Sequence, residues 1–257
     1  MGDRPGLSDH AARNRRLWDE QAAEYQRLHG PMLAAGGGAA WGVWQIPETE
    51  LRVLGDVSGH DVLEFGCGAA QWSIALAALG ARVTGLDNSA RQLEHARRLM
   101  AQAGVEFPLV HGSAEATPFD AASFDIVFCD HGAMTFADPH RTVPEAARLL
   151  RPGGLLAFSM HTPIVELAWA CGAEHPGERL QRGYWDLHVL EEPGQPVSFQ
   201  LPYGQWVALF RANGLTIEDL LELRPSPGAI SSYRDETDRE WARRWPMEHI
   251  WRVRRSH

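Results

Sequence analysis

Through the middle of the chain, short apolar runs of strand character alternate with segments whose apolar positions fall three and four apart. The runs are "DVLEFG", "ARVTGLD", "FPLVHG", "FDIVFCD" and "LLAFSM". Between the first two, Gln71 to Leu79 reads as a helix stopped by Gly80 at the position just past its end. Ser89 and Gln92 form a capping box for the next helix, which sets Leu93, Ala96, Met100 and Ala103 on one face. Thr142 with Glu145 opens another helix, which ends at "RPGG". Tyr203 to Ala212 reads as a helix, and "LTIEDLLEL" and "EHIWRVRR" as two late strands. Strand and helix alternating through five units predict a parallel sheet with helices on both faces.

Two regions break the rhythm. The first precedes it: a helix from about Ser8 to Leu28, with Trp18, Ala22, Tyr25 and Leu28 in helical register, leads into the glycine-rich "HGPMLAAGGGAAWGVWQIP". That stretch is expected to be mobile, with a short helix near Glu48 to Leu54 after it. The second lies between the fifth strand and the late pair, from His161 to Pro202, and is rich in proline, glycine, glutamate and aromatics. It reads as an inserted cap over the C-terminal edge of the sheet, where open α/β sheets bind ligands.

Bulk properties narrow the function. At 257 residues, with 44% hydrophobic and 22% charged residues, the chain has the balance of an ordinary globular protein. A net charge of −9 argues against a nucleic-acid partner, which wants a basic surface. The arginines beside Trp241, Trp245 and Trp251 then read as surface groups around packing aromatics. No run is apolar and long enough to span a membrane, and the N-terminus lacks the apolar core of a secretory signal. Cys67, Cys129 and Cys171 form no metal-like cluster and are odd in number, which fits a reducing compartment and a cytoplasmic location.

The chemistry concentrates at "VLEFGCGAAQW", Val62 to Trp72. Gly66 and Gly68 follow an apolar strand and precede a helix, a context that gives a weak glycine pattern meaning. A dinucleotide fingerprint wants a third glycine at 71, and Gln71 stands there. Glu64 occupies a strand position that is ordinarily apolar, so its carboxylate needs a partner. Asp87 ends the second strand, where an acid accepts hydrogen bonds from ribose hydroxyls.

These residues resemble motifs of the class I S-adenosylmethionine-dependent methyltransferases. "VLEFGCGAAQWSIALAALGARVTGLDNS" is similar to their first two motifs, and "HGSAEATPF" to the third. "FDIVFCDHGAMTFADP" and "AARLLRPGGLLAFS" are similar to the segments of the fourth and fifth strands. The resemblance implies a Rossmann-like, doubly wound, mostly parallel seven-stranded sheet whose seventh strand is antiparallel. It implies a single domain over 1–257: an N-terminal lid at 8–47, a cofactor-binding core at 48–160, the inserted substrate cap at 161–202, and 203–257 completing the sheet.

For the site, the resemblance places the Gly66-Cys67-Gly68 loop under the methionine portion of S-adenosylmethionine. Glu64 would orient that loop or, through water, the amino group of the cofactor. Asp87 would bind the ribose hydroxyls, and Asn88 would flank the adenine. Ser113 and Ala114 would frame the adenine ring, and Glu115 would take its amino group. Asp130 or the Cys129 carbonyl would meet the methionine ammonium. Two departures stand out: Ser113 where many relatives have aspartate, and Ala70 where many have glycine. From the lid, Tyr25, Trp41 and Trp44 are candidates to line the sulfonium, since aromatic faces attract a desolvated cation, with plain packing as the alternative.

Methyl transfer is an in-line displacement that asks for alignment and exclusion of water, with a base only where the acceptor must lose a proton. His131 and His161 follow the fourth and fifth strands and are the catalytic candidates; His188 and Tyr203 are weaker candidates for substrate contact. "CDHGAM" lacks the Asn/Asp-Pro-Pro-aromatic motif of adenine-type amino methyltransferases. Asp130, His131, Asp138 and His140 lie close together without the tight spacing of a metal site, so no metal is expected. The expected function is methyl transfer to a small-molecule acceptor, leaving S-adenosylhomocysteine. The alternatives are an NAD(P)-dependent oxidoreductase and a non-catalytic protein that binds S-adenosylmethionine or S-adenosylhomocysteine; monomer and homodimer both stay open.

Overall fold

The computed structural model describes residues 7–35 and 37–257. Residues 1–6 of the N-terminal segment and Gly36 of the glycine-rich stretch lie outside the described residues. The central sheet has seven strands: β3 (Asp61–Phe65), β4 (Arg82–Asp87), β5 (Leu109–His111), β6 (Phe124–Asp130), β7 (Leu150–His161), β10 (Leu215–Leu223) and β11 (Glu248–Arg255). Their order is β10-β11-β7-β6-β3-β4-β5. The strands from β7 to β5 pair in parallel, and β11 runs antiparallel to both of its neighbours. From β3 the chain winds outward to β4 and β5, then returns to lay β6 and β7 on the other side. The loops after β3 and β6 therefore part from each other at the centre of the sheet, where a ligand crevice forms.

The two-residue period of the strands builds two cores. Leu63, Phe65, Val127, Cys129, Leu156 and Phe158 face α6 (Pro139–Leu149) and α8 (Tyr203–Ala212), where Val143, Leu149, Trp206 and Phe210 are fully buried. Val62, Ile126, Phe128, Leu155 and Ala157 face the other way, against Trp72 and Leu76 of α3 (Gln71–Ala78) and Trp41. Glu64 shares the Val62 face, so the period that buries the strand also aims this carboxylate at α3. A further helix, α4 (Ala90–Ala103), packs along β4 and β5.

Several elements depart from the sequence-based expectation. The first helix, α1 (Asp9–Ala35), runs past Leu28 and through Pro31, so much of the stretch expected to be mobile is helical. The remainder forms a small hairpin, β1 (Ala40–Trp41) with β2 (Ile46–Pro47), followed by the short α2 (Glu48–Leu51). The helix expected to open at Thr142 and Glu145 begins earlier: Asp138 caps α6 by accepting the His140 N–H at 2.9 Å. Thr142 is buried inside it with an unpartnered hydroxyl, and Glu145 turns to Thr117 and Arg148. Only half of the expected capping box forms. Ser89 Oγ accepts the Gln92 N–H at 3.1 Å, while the Gln92 side chain is held by Gln26 of α1. Three helices had no sequence signal strong enough to predict them, α5 (Gly132–Phe136), α7 (Pro163–Ala168) and α9 (Glu236–Arg244).

The inserted segment holds α7 (Pro163–Ala168), one 3-10 turn at Tyr184–Asp186 and a hairpin of β8 (Val189–Leu190) with β9 (Ser198–Phe199). Buried Asn14 fastens α1 to this hairpin. Its amide donates to the carbonyls of Phe136 and Val197 at 2.8 Å each, and its side-chain oxygen accepts the Val197 N–H at 2.8 Å. Arg13 adds bonds to the carbonyls of Glu192 and Gln195. Helix α1 thus spans from the hairpin to the loops that follow β3 and β4.

Candidate active site

The turn after β3 is shaped by glycine. Gly66 has φ +72°, and a Cβ built there would lie 2.4 Å from the Ala133 backbone nitrogen. Only glycine allows the first turn of α5 to approach so closely. The N–H groups of Gly66 and Cys67 both donate to the Leu86 carbonyl, at 2.8 and 3.0 Å, which ties the turn to β4. Gly68 differs: φ is +52°, but its Cβ position faces open space, with Gln92 Oε1 the nearest atom at 4.0 Å. One glycine is needed for packing, and the other leaves a face on which a ligand can lie.

The acids expected at this site hold that turn in place. Glu64 accepts the Ser73 N–H at 3.1 Å and the Ser73 hydroxyl, pinning the first turn of α3. Burial outweighs these bonds and pushes its carboxyl up to about 8. Asp87 accepts the Gly68 N–H at 2.8 Å on one oxygen and the Ser89 N–H at 2.7 Å on the other. Each oxygen keeps a further lone pair for a ligand hydroxyl. Burial raises the Asp87 carboxyl, against the pull of those two N–H groups. Asp130, at the end of β6, accepts the Gly42 N–H at 2.9 Å and the Ser159 hydroxyl, and burial raises it too.

The other expected contacts separate into two sets. Tyr25 hydrogen-bonds Tyr233 at 2.8 Å, and its phenol is pushed up to about 12 chiefly by burial, with the charges of Asp130 and Asp87 adding to the effect. Its ring also packs edge-on against Trp18 and against His29. Ala114 is buried, and Ser113 Oγ accepts the Glu115 N–H at 3.2 Å. Asn88 is engaged by α1, donating to the Ala11 carbonyl at 2.8 Å and accepting from Arg15 at 3.0 Å. Glu115 is more fully engaged, by His10, by Ser8 at 2.9 Å, by the Asp138 N–H at 3.1 Å and by Arg141 at 3.3 Å. Its carboxylate clamps the start of α1 to the start of α6. Trp44 packs with Val165, Trp241 and Met247, and Trp41 with Trp72 and Phe128, so both serve the core. The thiols of Cys67 and Cys129 are buried, and burial raises both.

The two candidate histidines stand side by side, ring centroids 5.5 Å apart. His131 caps α5 with φ +58°, a strained position for a residue bearing a side chain. Its N–H is fixed by the Ser159 carbonyl at 3.2 Å and hydroxyl at 3.1 Å. Its Nε2 bonds Glu248, which is fully buried and also accepts the Val43 N–H at 2.9 Å. Burial alone would lower the imidazole, but the hydrogen bond and charge of Glu248 outweigh it and raise His131 above its usual value. Burial likewise favours the neutral form of Glu248, and His131 overrides it, holding the carboxyl below the usual range. His161 is engaged on both nitrogens, Nδ1 by Glu166 at 2.8 Å and Nε2 by Arg234 at 3.1 Å.

Sequence reasoning missed Glu248, Arg234, Tyr233 and Ser159. Glu248 had a usable signal of the kind that exposed Glu64: a carboxylate heading an apolar strand that pairs on both sides. Of the weaker candidates, His188 bonds Asp138 at 3.1 Å and lies under the β8–β9 hairpin, and Tyr203 faces the fully buried His249.

A doubly wound sheet with one antiparallel strand, a glycine turn after its central strand and an acid closing the next define the nucleoside-binding architecture of the class I methyltransferases. Residues 63–158 match the family model of the methyltransferase domain. The chain is 38% identical over 186 residues to a ubiquinone biosynthesis O-methyltransferase of Aromatoleum aromaticum, covering 71% of this chain and 75% of that one. It is 34% identical over 188 residues to a demethylmenaquinone methyltransferase of Clavibacter sepedonicus, covering 72% and 68%. The crystal structure of an S-adenosylmethionine-dependent methyltransferase from Mesorhizobium loti superposes with a TM-score of 0.63 at 24% identity, over 80% of this chain and 96% of that one.

The chain belongs to the S-adenosylmethionine-dependent methyltransferase family, and its activity is methyl transfer from that cofactor. The residues present fit the cofactor: an open face at Gly68, unspent lone pairs on Asp87, and a turn of Gly66, Cys67, Gly68, Ala69 and Ala70 with no basic side chain to answer a pyrophosphate. These relatives are methyltransferases by name and give no support to an NAD(P)-dependent oxidoreductase. Among the described residues, no helix is long and apolar enough to cross a membrane.

Proposed function

We propose that this enzyme methylates a small molecule bearing an ionisable hydroxyl, with His131 as general base and Glu248 as its orienting carboxylate. The observation that carries this reading is the His131–Glu248 pair at the end of β6. Glu248 is fully buried, while the His131 side chain keeps 22% of its surface exposed toward the cleft. The names of the relatives point the same way, since quinone-pathway methyltransferases act on small molecules. The net charge of −9 disfavours nucleic acid as the acceptor, and the free cysteines suit a cytoplasmic enzyme.

S-adenosylmethionine supplies an electrophilic methyl group carried on its sulfonium. In this reading the Gly66–Gly68 turn supports the amino-acid end of the cofactor, Asp87 holds the ribose hydroxyls, and Asp130 faces the ammonium. Ala114 and Ser113 line the adenine side, while Glu115 and Asn88 serve by anchoring α1 across the cleft. Tyr25 covers the site and helps exclude water. Bonding of His131 Nε2 to Glu248 leaves Nδ1 to take the proton of the acceptor, and the resulting imidazolium is stabilised by the buried carboxylate. With both nitrogens engaged, His161 is assigned a positioning role and His131 alone the role of base. The segments 8–47 and 161–202 act together as lid and cap, joined by Asn14.

Two measurements test this. Calorimetry should show binding of S-adenosylhomocysteine and a loss of at least about tenfold in Asp87→Ala, the ordinary worth of charge-assisted hydrogen bonds; binding of NAD instead would defeat the cofactor assignment. Transfer of labelled methyl to a panel of phenols should fall at least about 100-fold in His131→Asn, with S-adenosylhomocysteine affinity little changed. Unchanged transfer in that variant would remove His131 from the role of base.

A further inference from the structure

Arg234 is a half-buried cation in a site that must also receive a cationic cofactor. Its Nη2 donates to His161 Nε2 at 3.1 Å, and its guanidinium carbon lies 4.6 Å from the ring centroid of Trp169. His161 stacks nearly parallel to that ring, 15° between planes, so arginine, indole and imidazole form one packed group. Glu166 bonds His161 Nδ1, and Nε2 is the nitrogen that meets Arg234. Arg234 has no counter-charge in its imidazole neighbour, and among the described residues it forms no ion pair with any carboxylate. Its Nε is buried without an acceptor.

Other half-buried arginines are satisfied either by a carboxylate or by backbone carbonyls, as Arg15 is by Asn88, Arg182 by Trp169 and Arg255 by Leu150. Arg239 meets Glu236 at 3.1 Å, Arg252 meets Glu218 at 2.6 Å, and Arg254 meets the same glutamate. A partly desolvated guanidinium held beside the reacting site without an acid is costly unless a ligand supplies the negative charge. Its location narrows the ligand. It sits against His161, which stands beside His131, and its charge reaches His131. In the proposed reading Glu64, Asp87 and Asp130 serve the cofactor, and Arg234 stands next to the histidine pair that faces the acceptor. Trp169 is partly exposed and adds apolar surface beside the guanidinium.

We propose that Arg234 is the binding residue for a carboxylate on the acceptor, and that the acceptor is an aromatic hydroxy acid. His161, itself held by Glu166, and the face of Trp169 hold the guanidinium in place beside the acid. Two features favour a carboxylate: the guanidinium keeps several donors in its planar fork, and that fork matches two oxygens better than one. The proposal rests on the methyltransferase reading of the site, so the test separates the two.

With S-adenosylhomocysteine saturating, calorimetry compares salicylate, 4-hydroxybenzoate, 3,4-dihydroxybenzoate and 1-hydroxy-2-naphthoate, each against its own carboxamide. At least one acid should bind the wild-type enzyme about tenfold more tightly than its amide, the ordinary worth of a charge-assisted pair. In Arg234→Gln the ratio should fall to within about threefold, with S-adenosylhomocysteine affinity retained. A second readout uses the wild-type protein alone and does not depend on the folding of the variant: the Nε–H resonance of Arg234 in 15N-labelled enzyme should shift on titration with the acid and not with the amide. If all four acids bind no better than their amides, or if Arg234→Gln keeps the preference, the proposal is overturned. Failure of S-adenosylhomocysteine itself to bind would instead bring down the reading of the cofactor site.

Discussion

Replacing Glu248 with glutamine separates the energetic role of the buried pair from the catalytic role proposed for it. In the native protein Glu248 is wholly buried, bonded to His131 and to the Val43 N–H. Glutamine keeps the shape and an oxygen for Val43 but removes the charge that raises His131. Breaking a buried ion pair by neutralising one partner costs about 3–5 kcal/mol. The retained Val43 bond places Glu248→Gln at the lower end, about 3 kcal/mol. For a chain of this size that corresponds to a fall in melting temperature on the order of 6–12 °C.

The pH dependence carries more information than the magnitude. His131 is raised above 6.5 in the folded protein, so its contribution is fully present below 6.5 and is lost as pH rises through its folded value. Glu248 is depressed below 4.5, so its contribution is present above 4.5 and is lost as pH falls through its folded value. The stability difference between the wild-type enzyme and Glu248→Gln should therefore be greatest between 4.5 and 6.5 and shrink on both sides. Activity should respond in the opposite sense on the alkaline side. The base works only when deprotonated, so wild-type kcat rises over the pH range in which the pair loses stability. In Glu248→Gln burial is opposed only by the charge of Asp130, so the acid limb of the kcat profile moves to lower pH. Urea denaturation across pH 4 to 9, with initial rates on the same samples, reads both quantities. A pH-independent stability difference together with an unmoved acid limb would refute the coupling.

Three further outcomes follow from the same geometry. Gly66→Ala puts a Cβ 2.4 Å from a backbone nitrogen at φ +72°, so denaturation should show a loss of more than about 2 kcal/mol; in Gly68→Ala, where the space is open, about 1 kcal/mol of stability but most of the S-adenosylhomocysteine affinity should go. Glu64 titrates at about 8 in the fold against 4.5 unfolded, so the native state holds an extra proton between these values and stability contributed by the wild-type residue declines as pH rises from 4.5 to 8. Glu64→Gln, whose single oxygen can accept both Ser73 bonds, should cost little at pH 6 and be relatively more stable at pH 8.5, by chemical denaturation. Asn14→Ala removes two buried hydrogen bonds between α1 and the inserted hairpin and a third to Phe136 of α5, so it should lower stability by about 1–3 kcal/mol and speed the release of S-adenosylhomocysteine in stopped-flow fluorescence, where an unchanged release rate would argue that the lid and cap are not joined.

The parts of the fold that the sequence revealed are those whose signal is local. The boundaries of α8, β10 and β11 agree with the predicted segments because period and punctuation coincide there. The acid at the end of β4 and the glycine turn after β3 were legible because strand, turn and helix lie within a few residues of one another. Helix α1 was cut short because Pro31 reads as a breaker, yet near the end of a long helix a proline removes only one hydrogen bond. Helix α9 was missed because its buried apolar residues are only Trp241 and Ala242, amid arginines and acids that read as surface. The acceptor side was hardest to read. His131 meets a carboxylate 117 positions away and His161 an arginine 73 positions away, contacts that no spacing rule encodes.

The distribution of buried acids accounts for this asymmetry. Glu64, Asp87, Asp130 and Glu248 each accept a backbone N–H from a different segment: Ser73, Gly68 with Ser89, Gly42, and Val43. Glu64, Asp87 and Asp130 keep their positions without a salt bridge, so the cradle is formed before any ligand arrives, whereas Glu248 has His131 as well. Asp87 and Asp130 close their strands where the chain turns, which is why these acids were readable from sequence and Glu248, at the start of β11, was not. Arg234 has no such anchor: its only hydrogen-bond partner among the described residues is one imidazole nitrogen, and its other donors await an acceptor. In the proposed reading the cofactor half of the site is held by backbone donors, whereas the acceptor half is built from side chains brought together late in the chain. That difference lets one scaffold keep its methyl donor while the acceptor varies.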